Sequence, residues 1–118
     1  MARRFDTPPT DLDRKSKTLW RRLIAALTEQ GTWNEKTDLE LLERYVRALE
    51  AAREARETLR GVPRFVEGSQ GQLVPHPAVK MLRDAELDAE RFAASLLLTP
   101  AARRRADVRP GEAVGDLD

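Results

Sequence analysis

GVPRFVEGSQGQLVPHP, residues 61–77, decides how this chain folds. Long runs with helical periodicity lie on both sides of it, and this stretch separates them. Arg64-Phe65-Val66-Glu67 and Gln72-Leu73-Val74 are short β-like runs, and Gly68-Ser69-Gln70-Gly71 between them suits a tight turn. The pattern predicts a small hairpin over about 64–74, with a bare loop as its competitor. A two-stranded hairpin is barely stable alone, so Phe65 and Leu73 need something to pack on.

Upstream, a helix is expected over about 35–60, stopped by Gly61. Its cap is either Asn34, or Thr37 with Glu40 as box partner. Continuous, it would measure roughly 35 Å at 1.5 Å per residue. Leu42, Tyr45, Leu49, Ala52 and Leu59 form a 3–4 stripe, and Ala48, Ala51 and Ala55 form a second, shallow face. Glu40–Arg44 and Glu43–Arg47 are i,i+4 pairs in the favourable order. Downstream, Pro77 is a good first residue for a helix over about 77–98. Leu82, Ala85, Ala89, Phe92 and Leu96 make its packing stripe. Two such helices carry more apolar side than one small core needs. Leu42, Tyr45, Leu49, Ala52, Phe92 and Leu96 are therefore candidates for packing between copies. His76 reads as a polar cap or loop residue, because no nucleophile or acid pattern accompanies it.

Further out, Thr10 can cap a first helix over about 11–30, with Asp13 at the box spacing and Gly31 as its stop. Leu12, Leu19, Trp20, Leu23, Ile24 and Leu27 share one side, and Arg14, Lys17, Arg21 and Arg22 the other. Those four cations are either an ordinary solvated face or a DNA contact. Before the helix, Arg3, Arg4 and Phe5 precede Pro8-Pro9, which suggests a flexible arm over residues 1–9. At the other end, LLLTPAARRRA (residues 96–106) places Thr99 as an N-cap and Pro100 at N1. Pro100 pushes Thr99 out of helical geometry, so one helix ends and a short one starts over 100–106. Arg103, Arg104 and Arg105 project around it, and at least two should face solvent or a partner. Residues 107–118 have too little apolar content to fold alone and read as a flexible tail.

The whole is expected to be mainly α, one domain over residues 10–106. At 118 residues, with 35% charged and 5% aromatic residues, its interior is thin, which favours assembly. The net charge of +1 predicts no partner, but Met1–Gln30 holds seven Lys/Arg against four Asp/Glu. A locally basic end can bind nucleic acid without a basic total. The chain has no cysteine and a single histidine, and no His/Asp/Glu cluster at ligand spacing, so neither metal nor cofactor is expected. No apolar run approaches the ~20 residues of a membrane span, and MARRFDTPPT lacks the apolar stretch of a secretory signal. A soluble, intracellular protein is expected. No GxxxxGK[ST] loop is present, and the acids are spread along helix faces beside arginines, which argues against an ATPase or a metal-dependent nuclease.

LTPAAR resembles the Leu-Thr-Pro-x-x-Arg signature of a phage terminase small-subunit family. The order of other features is similar too. PPTDL precedes a helix carrying Trp20, Gly31 is followed by Asp38 and Tyr45, and a glycine-containing hairpin precedes Pro77. The likeness covers about residues 8–105; Leu97 stands where the family often has glycine. It implies a non-enzymatic, ring-shaped homo-oligomer in the host cytoplasm, with a nonamer as the guess. Such a ring binds double-stranded viral DNA where packaging starts and regulates the large subunit that holds the ATPase and nuclease. On that expectation Arg3, Arg4, Arg14, Lys17, Arg21 and Arg22 meet DNA, and Arg103, Arg104 and Arg105 dock the large subunit or add a second DNA surface. Two other classes compete: a small helix-turn-helix regulator, and a structural helical adaptor with no nucleic-acid role.

Overall fold

A computed structural model describes residues 7–108. The order is α1 (Arg14–Gln30), α2 (Leu39–Leu59), β1 (Phe65–Glu67), β2 (Leu73–Pro75), α3 (Pro77–Ser95) and α4 (Pro100–Arg105). The fold is mainly helical, and the segment between α2 and α3 is a hairpin rather than a bare loop. β1 and β2 pair antiparallel, Phe65 opposite Pro75, Val66 opposite Val74 and Glu67 opposite Leu73. The turn is closed by Gly68 N–H to Gln72 O at 2.6 Å, with Gly71 at φ 81°. His76 then caps α3, its Nδ1 accepting from Ala78 N–H at 3.0 Å, while its own N–H ties back to Arg64 O at 2.7 Å.

The hairpin lets α3 run back along α2, and the two helices make the most extensive contact in the molecule. Their seam is alanine-rich: Ala52 and Ala55 from α2 are buried with Ala78, Ala85, Ala89 and Ala93 from α3. Small side chains permit close approach of the backbones but bury little area each. Arg56 of α2 faces Glu86 of α3 at 3.7 Å across this seam. The large side chains gather at the other end. Leu12, Trp20, Leu23, Ile24, Leu27, Leu42, Val46 and Leu96 form the core, flanked by Leu19, Trp33, Leu39, Leu41, Tyr45 and Leu98. The result is elongated, 68 × 37 × 22 Å, with a radius of gyration of 18.2 Å; a compact domain near this length has about 13 Å.

Several boundaries differ from the sequence expectation, each for a local reason. α1 starts at Arg14 rather than near 11, because Asp13, not Thr10, is the N-cap and accepts Ser16 N–H at 2.8 Å. Leu12 lies before the helix yet is buried, and Pro8 and Pro9 are buried too, so the expected arm over residues 1–9 is not free throughout. α2 starts at Leu39, capped by neither Asn34 nor Thr37. Asn34 instead folds a turn of its own, its side chain accepting from Lys36 N–H at 3.0 Å and its carbonyl from Asp38 N–H at 2.8 Å. α3 ends at Ser95 rather than 98. Leu97 N–H bonds Ala94 O (3.0 Å) and Leu98 N–H bonds Ala93 O (2.8 Å), a closure that needs a left-handed residue between them. Leu97 takes that conformation at φ 60°, which accounts for glycine being common there in the family it resembles. Thr99 and Pro100 start α4 as expected, Thr99 Oγ1 accepting from Ala102 N–H at 3.1 Å, though α4 ends at Arg105.

Candidate nucleic-acid interface

Helix α1 is fastened to α2 by its buried stripe and by a polar bracket at its start. Arg53 of α2 donates to both oxygens of Asp13 at 2.8 and 2.6 Å and to Ser16 Oγ at 3.1 Å. Glu50 accepts the Asp13 N–H at 2.9 Å. The Ser16 amide and the Arg53 guanidinium hold the Asp13 carboxyl far below the usual carboxylate range. A second clamp sits just before it, where Arg47 grips both oxygens of Asp11 at 2.9 and 3.0 Å and also donates to Glu43. Those hydrogen bonds lower the Asp11 carboxyl and raise the Arg47 guanidinium. These contacts fix the orientation of α1, and with it whatever its far side presents.

That far side is cationic. Arg14, Lys17, Arg21 and Arg22 lie away from Trp20, Leu23, Ile24 and Leu27, and all but the half-buried Lys17 are exposed. Lys15, absent from the expected set, is exposed on the same side. Its spacing to Arg22, seven residues, is the signal in the sequence that points to it. None of these five cations has an ion-pair partner among the described residues. Every arginine within α2 has one: Arg44 with Glu40 at 2.9 Å, Arg47 with Asp11 at 2.9 Å, Arg53 with Asp13 at 2.6 Å and Arg56 with Glu86 at 3.7 Å. The electrostatic contrast between the helices is therefore sharper than their composition suggests. Charges already neutralised at short range attract a polyanion weakly, whereas an unpaired row is open to phosphates. The half-buried Tyr45 sits within reach of the Arg22 charge; burial raises its hydroxyl pKa and Arg22 partly opposes that.

Other expected site residues fall differently. Arg3 and Arg4 lie outside the described residues. Arg103 is half-buried and its Nη1 donates to Leu97 O at 3.3 Å, so it fastens the α3–α4 corner; Arg104 and Arg105 are exposed. Of the residues expected to pack between copies, Leu42, Ala52 and Leu96 are buried within the chain itself. The stripes that contain them face α1 and the other long helix. Tyr45, Leu49 and Phe92 are half-buried. Among the described residues, the exposed large apolar ones are instead Val62, just before the hairpin, Phe65 and Leu73 in it, and Met81 and Leu87 in the adjoining part of α3.

Among the described residues, no group of three His, Asp or Glu side chains could hold a metal ion. None of the described helices is long and apolar enough to cross a membrane. The pocket beneath the corner, lined by Leu27, Trp33, Leu41 and Leu96 among others, holds about 60 Å³, and wider, open depressions of about 360 and 400 Å³ lie beside Arg14 and Arg53 and beside Leu97 and Arg105. The connection from Gly31 to Asp38 is long for a helix-turn-helix, and α2 offers no unpaired arginine to a major groove.

The sequence profile of a family described as "Phage terminase, small subunit" matches residues 16–113. No curated protein and no solved structure matches the chain.

Proposed function

The chain belongs to the phage terminase small-subunit family, and from that premise we propose that it is the DNA-binding, non-catalytic component of a genome-packaging machine. It acts in the host cytoplasm, binds double-stranded viral DNA where packaging starts, and regulates the large subunit that carries the ATPase and nuclease. Copies of the chain form a closed ring, a nonamer being the working guess. Each interface in such a ring is heterologous and closes by rotation.

The observation that carries the DNA role is the row of unpaired cations on α1: Arg14, Lys15, Lys17, Arg21 and Arg22. Each copy supplies a modest patch, and repetition around a ring converts weak attraction into avidity. The contacts are to phosphate, which positions the duplex without reading its sequence. Arg3 and Arg4 would extend the same patch. Arg104 and Arg105, with the segment beyond residue 106, are the proposed contact to the large subunit, with a second DNA surface as the alternative use.

Reversing Arg14, Lys17 and Arg21 to Glu together tests the proposal. Affinity should fall, and the log–log salt slope should drop by about 0.9 for each phosphate that is no longer neutralised. An unchanged affinity and slope would remove α1 from the interface. Deleting residues 107–118 tests the other end: full stimulation of the large subunit's ATPase by the truncated protein would exclude this segment as the docking element.

A further inference from the structure

The hairpin presents an apolar face that the chain itself does not cover. Phe65, Glu67, Leu73 and Pro75 lie on one side of the two-stranded sheet by their register, and Val66 with Val74 on the other. Phe65 is 59% and Leu73 75% exposed, while the Val66 side is half-buried. A hairpin this small gains little stability from its own pairing, so an uncovered leucine and phenylalanine at its surface are unfinished packing. Beside Leu73, directly across the strands, stands Glu67, with no ion-pair partner among the described residues.

A matching surface exists on α3. Ala78, Ala85, Ala89 and Ala93 face α2, which places Leu87 on the opposite side of the helix, 53% exposed. Arg83, one turn before Leu87 and on the same side, is exposed and has no ion-pair partner among the described residues. One surface thus offers leucine beside an unpaired anion; the other offers leucine with the unpaired Arg83 on the turn before it and the exposed Glu90 on the turn after. Leu87 faces away from its own seam, so the hairpin of the same chain does not cover it. Leu87 lies ten residues along α3 from Pro77, about 15 Å at 1.5 Å per residue, which is the offset a neighbouring copy's hairpin has to span.

We propose that the hairpin of one copy docks on the outer side of α3 of the next, Phe65 and Leu73 covering Leu87 while Glu67 pairs with Arg83. This rests on the ring reading and specifies its contact. Two different complementary surfaces on one chain are what a head-to-tail interface requires. The charged pair fixes register and excludes other arrangements, and the leucines supply the desolvated area.

Charge reversal distinguishes this contact from assembly by another route. Particle mass is read by light scattering over a dilution series, with helicity checked by circular dichroism. Glu67→Arg alone places two arginines together, and Arg83→Glu alone places two glutamates together. Each should raise the concentration at which the assembly dissociates by about tenfold or more. The double variant should restore assembly, since opposite charges can then meet again across the interface. Both sites are exposed, so both variants should keep the wild-type helicity, and rescue in the double variant shows that neither substitution by itself prevents folding. If the wild type assembles and both single variants assemble equally well, the docking proposal is overturned and the ring reading stands. If the wild type remains at the 13.4 kDa of a single chain at all concentrations, the ring reading fails first.

Discussion

Leu97 shows how one residue sets the corner on which the C-terminal end depends. Its left-handed backbone costs about 1 kcal/mol relative to glycine. Leu97→Gly should therefore be more stable than Leu97→Ala by about 1 kcal/mol in urea denaturation, the reverse of the order seen inside a helix. Equal or better stability of the alanine variant would show that the corner is unstrained. Asp13 is the other decisive single residue. Its carboxyl is held below the ordinary 3.8, so its contribution to stability is fully present above that value and is lost as pH falls below it. Asp11 moves in the same direction. Asp13→Asn should flatten the acid limb of a melting-temperature profile against pH, and an unchanged limb would show that the bracket is not linked to folding. The corner was legible in LTPAAR, because proline and threonine act locally. The bracket was not, since Asp13 reads as a capping-box partner until the fold brings Arg53, forty residues away, against it.

At the scale of elements, the long helices divide their labour along their length. Near the base they enclose Trp20, Leu42 and Val46, all three fully buried, and toward the hairpin they hold alanines. Trp20→Ala should cost about 3–5 kcal/mol, read by urea denaturation. Ala89→Leu should cost about 1–3 kcal/mol by forcing the seam apart; a neutral result would mean that α2 and α3 are not closely apposed at Ala89. Periodicity revealed both helices and the stripe of α3, because spacing reports which side is buried. It did not reveal what covers that side. Leu42, Ala52 and Leu96 carry the same signature whether the neighbour is α1, the other long helix or a second copy. The same ambiguity hid Leu87: it lies off the stripe, and its exposure is evident only once the seam is placed.

For the whole molecule, the two packing regimes predict uneven opening. Amides in Leu23–Leu27 and Leu42–Val46 should exchange slowly at every protein concentration, whereas those of β1 and β2 should be slow only at concentrations where copies associate. Hydrogen exchange followed at two concentrations checks this, and hairpin protection that ignores dilution would count against any role for it between copies. Total charge concealed the more important asymmetry, because +1 overall is compatible with one helix neutralised and another left bare. The bracketed attachment of α1 has one more consequence. Arg14 and Arg21 are seven residues apart, about 10 Å at 1.5 Å per residue, close to three steps of a DNA strand at about 3.4 Å each. Anchored as it is, this row is a ruler with rigid graduations. On the proposed DNA role, a duplex sliding past would meet the same grip every few nucleotides, whatever letters it spells.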